Sequence, residues 1–179
     1  LYYMPQKKEN GYMIRLDEIP EDVAEKAKLM VVSYPNNPTT AMAPDSFYEE
    51  LIAFASRHDI IVLHDNAYSD LVFDGRTCGS FLGFPGAKEV GVEFNSLSKT
   101  YGLAGARIGF CLGNEAVVSR IKLLKSNMDY GMFLPIQAAA IAAITGDQSC
   151  VHTTMKAYET RRNIMCDGFT GIKSEAKRS

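Results

Sequence analysis

Short apolar runs, each broken off by a polar turn, set the framework of the chain. Leu29–Tyr34 (LMVVSY) and Asp59–His64 (DIIVLH) read as buried strands. Glu89–Asn95 (EVGVEFN), which alternates less cleanly, and Arg107–Leu112 (RIGFCL) read as two more. Between the first two, Phe47, Leu51, Ile52, Phe54 and Ala55 recur at helical spacing behind Pro44, which can open a helix at its first turn. Glu115–Asn127 and the alanine-rich Pro135–Thr145 predict helices, and Ser149–Phe169 predicts a longer, charged one. Residues 1–27 are polar and interrupted by Pro5, Gly11 and Pro20, an approach segment with a short helix at Glu21–Lys28. Pro35–Thr40 (PNNPTT) is a turn cluster, and Asp74–Ala87 and Ser96–Gly105 are Gly-containing loops.

Strands alternating with helices predict an α/β fold with a mainly parallel sheet. Such sheets bind ligands in the crevice beyond the carboxyl ends of their strands. The residues there are Asn36-Asn37-Pro38-Thr39, Asp65-Asn66-Ala67-Tyr68 and Ser96-Leu97-Ser98-Lys99. All three sets are polar, and all are expected on one edge of the sheet.

Composition narrows the partners. With 19 Lys plus Arg against 21 Asp plus Glu, the net charge of −2 leaves no electrostatic footprint for nucleic acid or an anionic membrane. No apolar run approaches the length of a membrane span, and LYYMPQKKEN lacks the basic start and apolar stretch of a signal peptide. Cys78, Cys111, Cys150 and Cys166 form no C-x-x-C pair, so reduced thiols in a cytoplasmic protein are expected. His58 and His64, six apart, do not have the spacing of a helical metal pair, and each reads as structural.

The chemistry of the predicted edge is specific. Lys99 brings an amine, Asp65 a carboxylate, Arg107 a guanidinium, Tyr68 a phenol, Asn37 an amide, and Ser96 and Ser98 hydroxyls. A ligand matching them carries a carbonyl for Lys99 and a basic ring nitrogen for Asp65. It also carries a phenolate-like oxygen for Asn37 and Tyr68, and a phosphate for Arg107 and the serines. Pyridoxal 5′-phosphate has all four features. Taken singly, each residue has a plainer use: Asp65 could cap a helix, Asn36, Asn37 and the serines could make turns, and Tyr68 could be core.

The chain also resembles a known family. SLSKTYGLAGARIGF (Ser96–Phe110) is similar to the lysine motif of fold-type I, class I/II aminotransferases. PNNPT resembles their Asn-Pro-Thr-Gly turn and HDNAY their Asp-x-x-Tyr motif, in the same order. The wording of YYMPQKKENGY, HDNAYSDLVFDG, FPGAKEVGVEFNSLSKTY and DYGMFLPIQAAAI is nearest the LL-diaminopimelate aminotransferase branch.

This resemblance implies a three-layer α/β/α large domain, of which 1–148 would be a part, with 149–179 a long helix leading toward a small domain. It implies a PLP-dependent transaminase, serving lysine and diaminopimelate synthesis, that exchanges an amino group between an amino acid and a 2-oxo acid as a homodimer. Lys99 would form the imine and then move the proton. Asp65 would pair with the ring nitrogen. Tyr68 and Asn37 would hold the ring oxygen, and Ser96, Ser98 and Arg107 the phosphate, Arg107 bidentately.

Two departures qualify the match. Thr40 stands where the family commonly has Gly, a poor residue if the turn needs a positive φ. Family members are roughly twice as long as this chain, so it reads as an internal fragment, inactive alone. Other PLP reactions (C–S β-elimination, decarboxylation) and PLP-binding transcription regulators share these cofactor residues. A serine acyl-enzyme is disfavoured despite Ser96-Leu97-Ser98-Lys99, because S-D-N and K-T-G elements are missing. No G-x-G-x-x-G follows the first strand, which argues against a dinucleotide site.

Overall fold

The computed structural model describes residues 1–176. Strands β1 (Leu29–Ser33), β2 (Ile61–Asp65), β3 (Gly91–Ser96) and β4 (Gly109–Gly113) form one sheet in that order. β1, β2 and β3 are mutually parallel, and β4 returns antiparallel to β3. The sheet is therefore mixed and mostly parallel, as the alternation of strands and helices predicts.

Helix α2 (Asp45–His58) connects β1 to β2 and presents Phe47, Tyr48, Leu51, Ile52 and Ala55 to the sheet. Opposite them are Met30, Val32 and Val62, and Ile60, Phe81 and Val90 complete the core. Burial of such side chains stabilises by roughly 1.5–3 kcal/mol each. Side chains alternate along the strands, so the other face carries Leu29 and Val31, both largely exposed, with Phe94 at its centre more than a third exposed.

Before the sheet lies α1 (Glu21–Lys26), two residues shorter than expected. The buried Tyr34 ties the approach segment to the end of β1: its hydroxyl accepts from the Ile14 N–H at 2.9 Å and donates to the Tyr12 carbonyl at 3.3 Å. Two of the sequence readings need correction. Asp59 does not begin β2; it closes α2 in the left-handed conformation (φ 53°), which Asp tolerates better than most residues. Glu89 and Val90 belong not to β3 but to a short helix, α3 (Ala87–Val90).

The stretch after β3 is also more ordered than a loop. Ser96 accepts from the Ser98 N–H at 3.1 Å and caps α4 (Leu97–Thr100), which carries Lys99. A 3-10 turn at Ala104–Ala106 follows, and Arg107, in the left-handed region at φ 53°, precedes β4 rather than opening it. Gly109 is required there, since a Cβ at that position would stand 2.5 Å from the Asn95 carbonyl oxygen.

Helices α5 (Glu115–Met128), α6 (Leu134–Thr145) and α7 (Ser149–Ala176) complete the chain. α7 runs seven residues beyond the expected Phe169, and the last three residues of the 149–179 stretch lie outside those described. Arg162 anchors α7 to the loop that follows β2 by a two-pronged pair with Asp74, both contacts at 2.6 Å. Among the described residues no helix is long and apolar enough to cross a membrane.

Candidate functional site

The three parallel strands deliver their polar turns to one edge. Ser33 and Asp65 end β1 and β2 in register, and Phe94 beside Asp65 stands two residues before the end of β3, so the turns emerge at the same edge. Asp65 and Ser96 lie on the same face of the sheet, two residues apart along the ladder through Phe94.

The first turn separates its two asparagines by role. The Asn36 side-chain oxygen accepts from the Thr39 hydroxyl at 2.9 Å, and its backbone carbonyl accepts from Thr40 N–H at 2.8 Å. Asn36 thus makes the turn and leaves Asn37 to face the second one. There the Asn37 Nδ2 donates to the Tyr68 hydroxyl at 3.1 Å. Thr40 closes the turn at φ 58°, the left-handed region in which a β-branched residue is strained.

Lys99 comes to the same place from the third turn. Its Nζ stands 5.6 Å from the centre of the Tyr68 ring, within the range of a cation–π contact. Asn37, Tyr68 and Lys99 therefore meet although they are far apart in sequence. Among the described residues Lys99 pairs with no carboxylate. The helix bearing it is fixed by the Thr100 hydroxyl, which donates to Asp70 at 2.7 Å and so joins the second turn to the third.

The other expected residues border this meeting point. Asp65 is exposed, and one carboxylate oxygen accepts from the Ala67 N–H at 3.1 Å. Ser96 and Ser98 are half-buried at the start of α4. Ser96 spends its oxygen as an acceptor in the cap, which leaves its O–H free to donate. Arg107 lies just past Ser96, since Ser96 pairs with Gly109 and Leu97 N–H bonds to the Ile108 carbonyl at 3.3 Å. Its guanidinium gives one N–H to the Ala104 carbonyl at 2.9 Å and keeps the others for a ligand. Among the described residues no hydrogen bond or salt bridge joins Asp65 or Arg107 to Lys99. The plain structural uses of Ser96 and Asp65 are real, and neither occupies the whole side chain.

A groove of about 840 Å³ opens beside Ser98 and Lys99, walled by Leu71 and Phe73 and by Arg161 and Met165 of α7. Chemically, the edge offers an amine without an ionic partner, a solvent-facing carboxylate, an amide and phenol already joined, and a guanidinium beside two hydroxyls. Those donors fit a carbonyl, a ring nitrogen, a ring oxygen and a phosphate, the four handles of pyridoxal 5′-phosphate.

Glu93 was not foreseen. It is 2% exposed and sits on the face opposite Asp65, against a fully buried His64 whose Nδ1 is 3.2 Å from its carboxylate. Burial pushes the Glu93 carboxyl up, but hydrogen bonds from His64 and Asn95 outweigh burial and lower it to about 2. Burial also raises the phenol of Tyr48, whose hydroxyl is 3.3 Å from the other His64 nitrogen.

Comparison with known proteins agrees with this geometry. The family described as aminotransferase class I and II matches residues 1–177. The chain is 48% identical over 171 residues to the LL-diaminopimelate aminotransferase of Syntrophobacter fumaroxidans, covering 96% of this chain and 44% of that protein. It is 46% identical to that of Moorella thermoacetica, with the same coverage. The chain thus spans under half the length of these relatives. Among solved structures, substrate-bound BacF of Bacillus subtilis superposes with a TM-score of 0.89 at 40% identity, over 95% of this chain and 44% of that one. A probable N-succinyldiaminopimelate aminotransferase of Thermus thermophilus gives 0.88 at 34% identity, over 95% and 45%. The three polar turns thus stand on a fold-type I α/β scaffold, and the chain belongs to the class I and II aminotransferase family.

Proposed function

We propose that the full-length protein carrying this chain is a pyridoxal-phosphate-dependent aminotransferase that moves an amino group between an amino acid and a 2-oxo acid. The observation that carries the reading is the meeting of Lys99, Tyr68 and Asn37 at the carboxyl edge of the sheet. When bound, the cofactor supplies a reactive carbonyl and an electron-withdrawing ring.

The residues of this chain divide the work. Lys99 would offer its Nζ amine to the carbonyl and would hold and pass on a proton at that nitrogen. Asp65 would pair with the ring nitrogen and favour its protonated form. Tyr68 and Asn37, already joined, orient the ring oxygen as a unit. Ser96, Ser98 and Arg107 hold the phosphate, with Arg107 contributing the fixed positive charge.

The substrate reading is LL-diaminopimelate, supported by the names of relatives at 48% and 46% identity. A role in lysine and diaminopimelate synthesis, a cytoplasmic homodimer and a division into a cofactor-binding part (1–148) and a connecting helix (149–179) complete the proposal.

The test is to supply the purified full-length protein with pyridoxal phosphate, LL-diaminopimelate and 2-oxoglutarate. Formation of glutamate is the expected outcome. Release of a thiol from cystathionine, or of carbon dioxide from an amino acid, without glutamate formation would assign the same residues to a lyase or a decarboxylase. Cofactor binding without any turnover would favour a regulator.

A further inference from the structure

Behind the edge, on the α2 face of the sheet, lies a buried polar cluster with no part in the proposed reaction. Its centre is Glu93. One carboxylate oxygen accepts from the Phe81 N–H at 2.8 Å and lies 3.2 Å from His64 Nδ1. The other accepts from Asn95 Nδ2 at 3.0 Å, and the Ser80 hydroxyl is 3.0 Å from both. His64 in turn meets the Tyr48 hydroxyl of α2 at 3.3 Å. β2, the Ser80–Phe81 turn and Asn95 of its own strand therefore converge on one carboxylate, and α2 reaches it through His64.

A buried charge of this kind is weak evidence for stability, because apolar residues of similar volume often serve as well. Its best-attested use is to fix a register. The placement here suits that use. His64 and Glu93 are ladder partners, and the next pair along is Asp65 and Phe94. His64 directly precedes Asp65, and Asn95 directly precedes Ser96, the cap of the helix that carries Lys99. A slip of one residue would turn Asp65 to the α2 face and strand Glu93 without its donors. The carboxyl stays ionised at neutral pH, so its donors keep their orientation.

We infer that Glu93 is a positioning residue: through His64 it pins β2 against β3, through Asn95 it braces the end of β3 that leads into Ser96, and so it holds Asp65 and the Lys99 helix at the separation the cofactor requires. This rests on the pyridoxal phosphate reading given above.

The test uses the full-length protein and its Glu93→Gln variant, which keeps the size of the side chain but turns an acceptor into a donor amid donors. Three quantities are read: pyridoxal phosphate affinity, the wavelength and circular dichroism of the bound cofactor's visible band, and the melting temperature without cofactor. The expected result is an affinity at least tenfold weaker and an altered circular dichroism of the band, in a variant still folded at the assay temperature. A variant that melts earlier yet binds with unchanged affinity and an unchanged band would overturn the inference, since a merely structural residue does just that. If Glu93→Gln does not fold, Asn95→Leu removes one donor and keeps the carboxylate. The same readings apply, with a twofold to fivefold weakening expected and an unchanged affinity and band overturning the inference. A parent protein that gains no visible band sinks the cofactor reading and this inference with it. A normal parent band shared by the variants sinks this inference alone.

Discussion

The side chain of Asn37 donates to the hydroxyl of Tyr68 across 3.1 Å, joining turns that follow different strands. Neither group is buried enough to need this bond for folding, since Asn37 is exposed and Tyr68 half-exposed. Under the proposed function the pair is an oriented donor set for a ring oxygen. If it acts as one, Asn37→Ala and Tyr68→Phe are not additive. A hydrogen bond is worth about 0.5–1.5 kcal/mol, so each single variant should weaken pyridoxal phosphate binding by roughly two- to tenfold. The double variant should be little worse than the weaker single one. Titration of the four proteins with cofactor measures the coupling, and strictly multiplicative losses would show that the two residues act separately.

The strain at Thr40 can be relieved. Its φ of 58° suits glycine, and its exposed side chain enters no hydrogen bond in the structure. Left-handed geometry costs a non-glycine residue about 1–2 kcal/mol, of which the extra chain entropy of glycine takes back roughly half. Thr40→Gly should therefore stabilise the protein by about 0.5–1 kcal/mol in urea unfolding. A loss of stability would mean that the turn does not hold Thr40 in this conformation.

Glu93 gives the stability a specific acid dependence. Its carboxyl falls from the ordinary 4.5 to about 2 on folding. A lowered native value means stability that is fully present above pH 4.5 and is lost as the pH falls toward 2. The contribution is on the order of 3 kcal/mol at about 1.4 kcal/mol per tenfold. The stability gap between the parent and Glu93→Gln should be largest near neutral pH and should narrow steadily from pH 4.5 to pH 2. Urea midpoints for both proteins across that range check it, and a gap constant with pH would contradict it.

Most of the framework was legible because apolar runs and polar turns are local signals. LMVVSY and IIVL form strands as their apolar runs predict, although Leu29 and Val31 of the first lie exposed rather than buried, and the turns after them carry residues that meet at the edge. What escaped was decided at a distance or by very short elements. Four residues, Leu97–Thr100, show no helical period, and Ser96 read as loop although it caps them. Glu93 alternates with Gly91 and Asn95, a pattern that marks a solvent-facing side. Its burial comes from His64, Ser80 and Phe81, which local patterning cannot bring to it. Asn36 and Asn37 are indistinguishable by type, and only the folded turn separates them, since Asn36 bonds within the turn and Asn37 reaches Tyr68.

The uncovered sheet face predicts how the 179 residues behave when expressed by themselves. Leu29 and Val31 are each 62% exposed side by side on β1, and Leu123, Leu124, Phe133 and Leu134 are exposed on or beside α5 and α6. Apolar patches of this kind drive association. The isolated chain should elute from size exclusion well above monomer size and transfer no amino group. Leu29→Lys with Val31→Lys should raise its soluble yield. A monodisperse, active monomer would contradict both expectations.

The central claim is that Lys99 is the amine that receives the cofactor carbonyl. Borohydride reduction of the full-length protein loaded with pyridoxal phosphate, followed by peptide mass spectrometry, tests it most directly. The account predicts one modified tryptic peptide, EVGVEFNSLSKTYGLAGAR, carrying the reduced cofactor on Lys99, and no labelling or visible band in Lys99→Ala. A label on Lys88 or Lys122, or one that persists undiminished in Lys99→Ala, would contradict it.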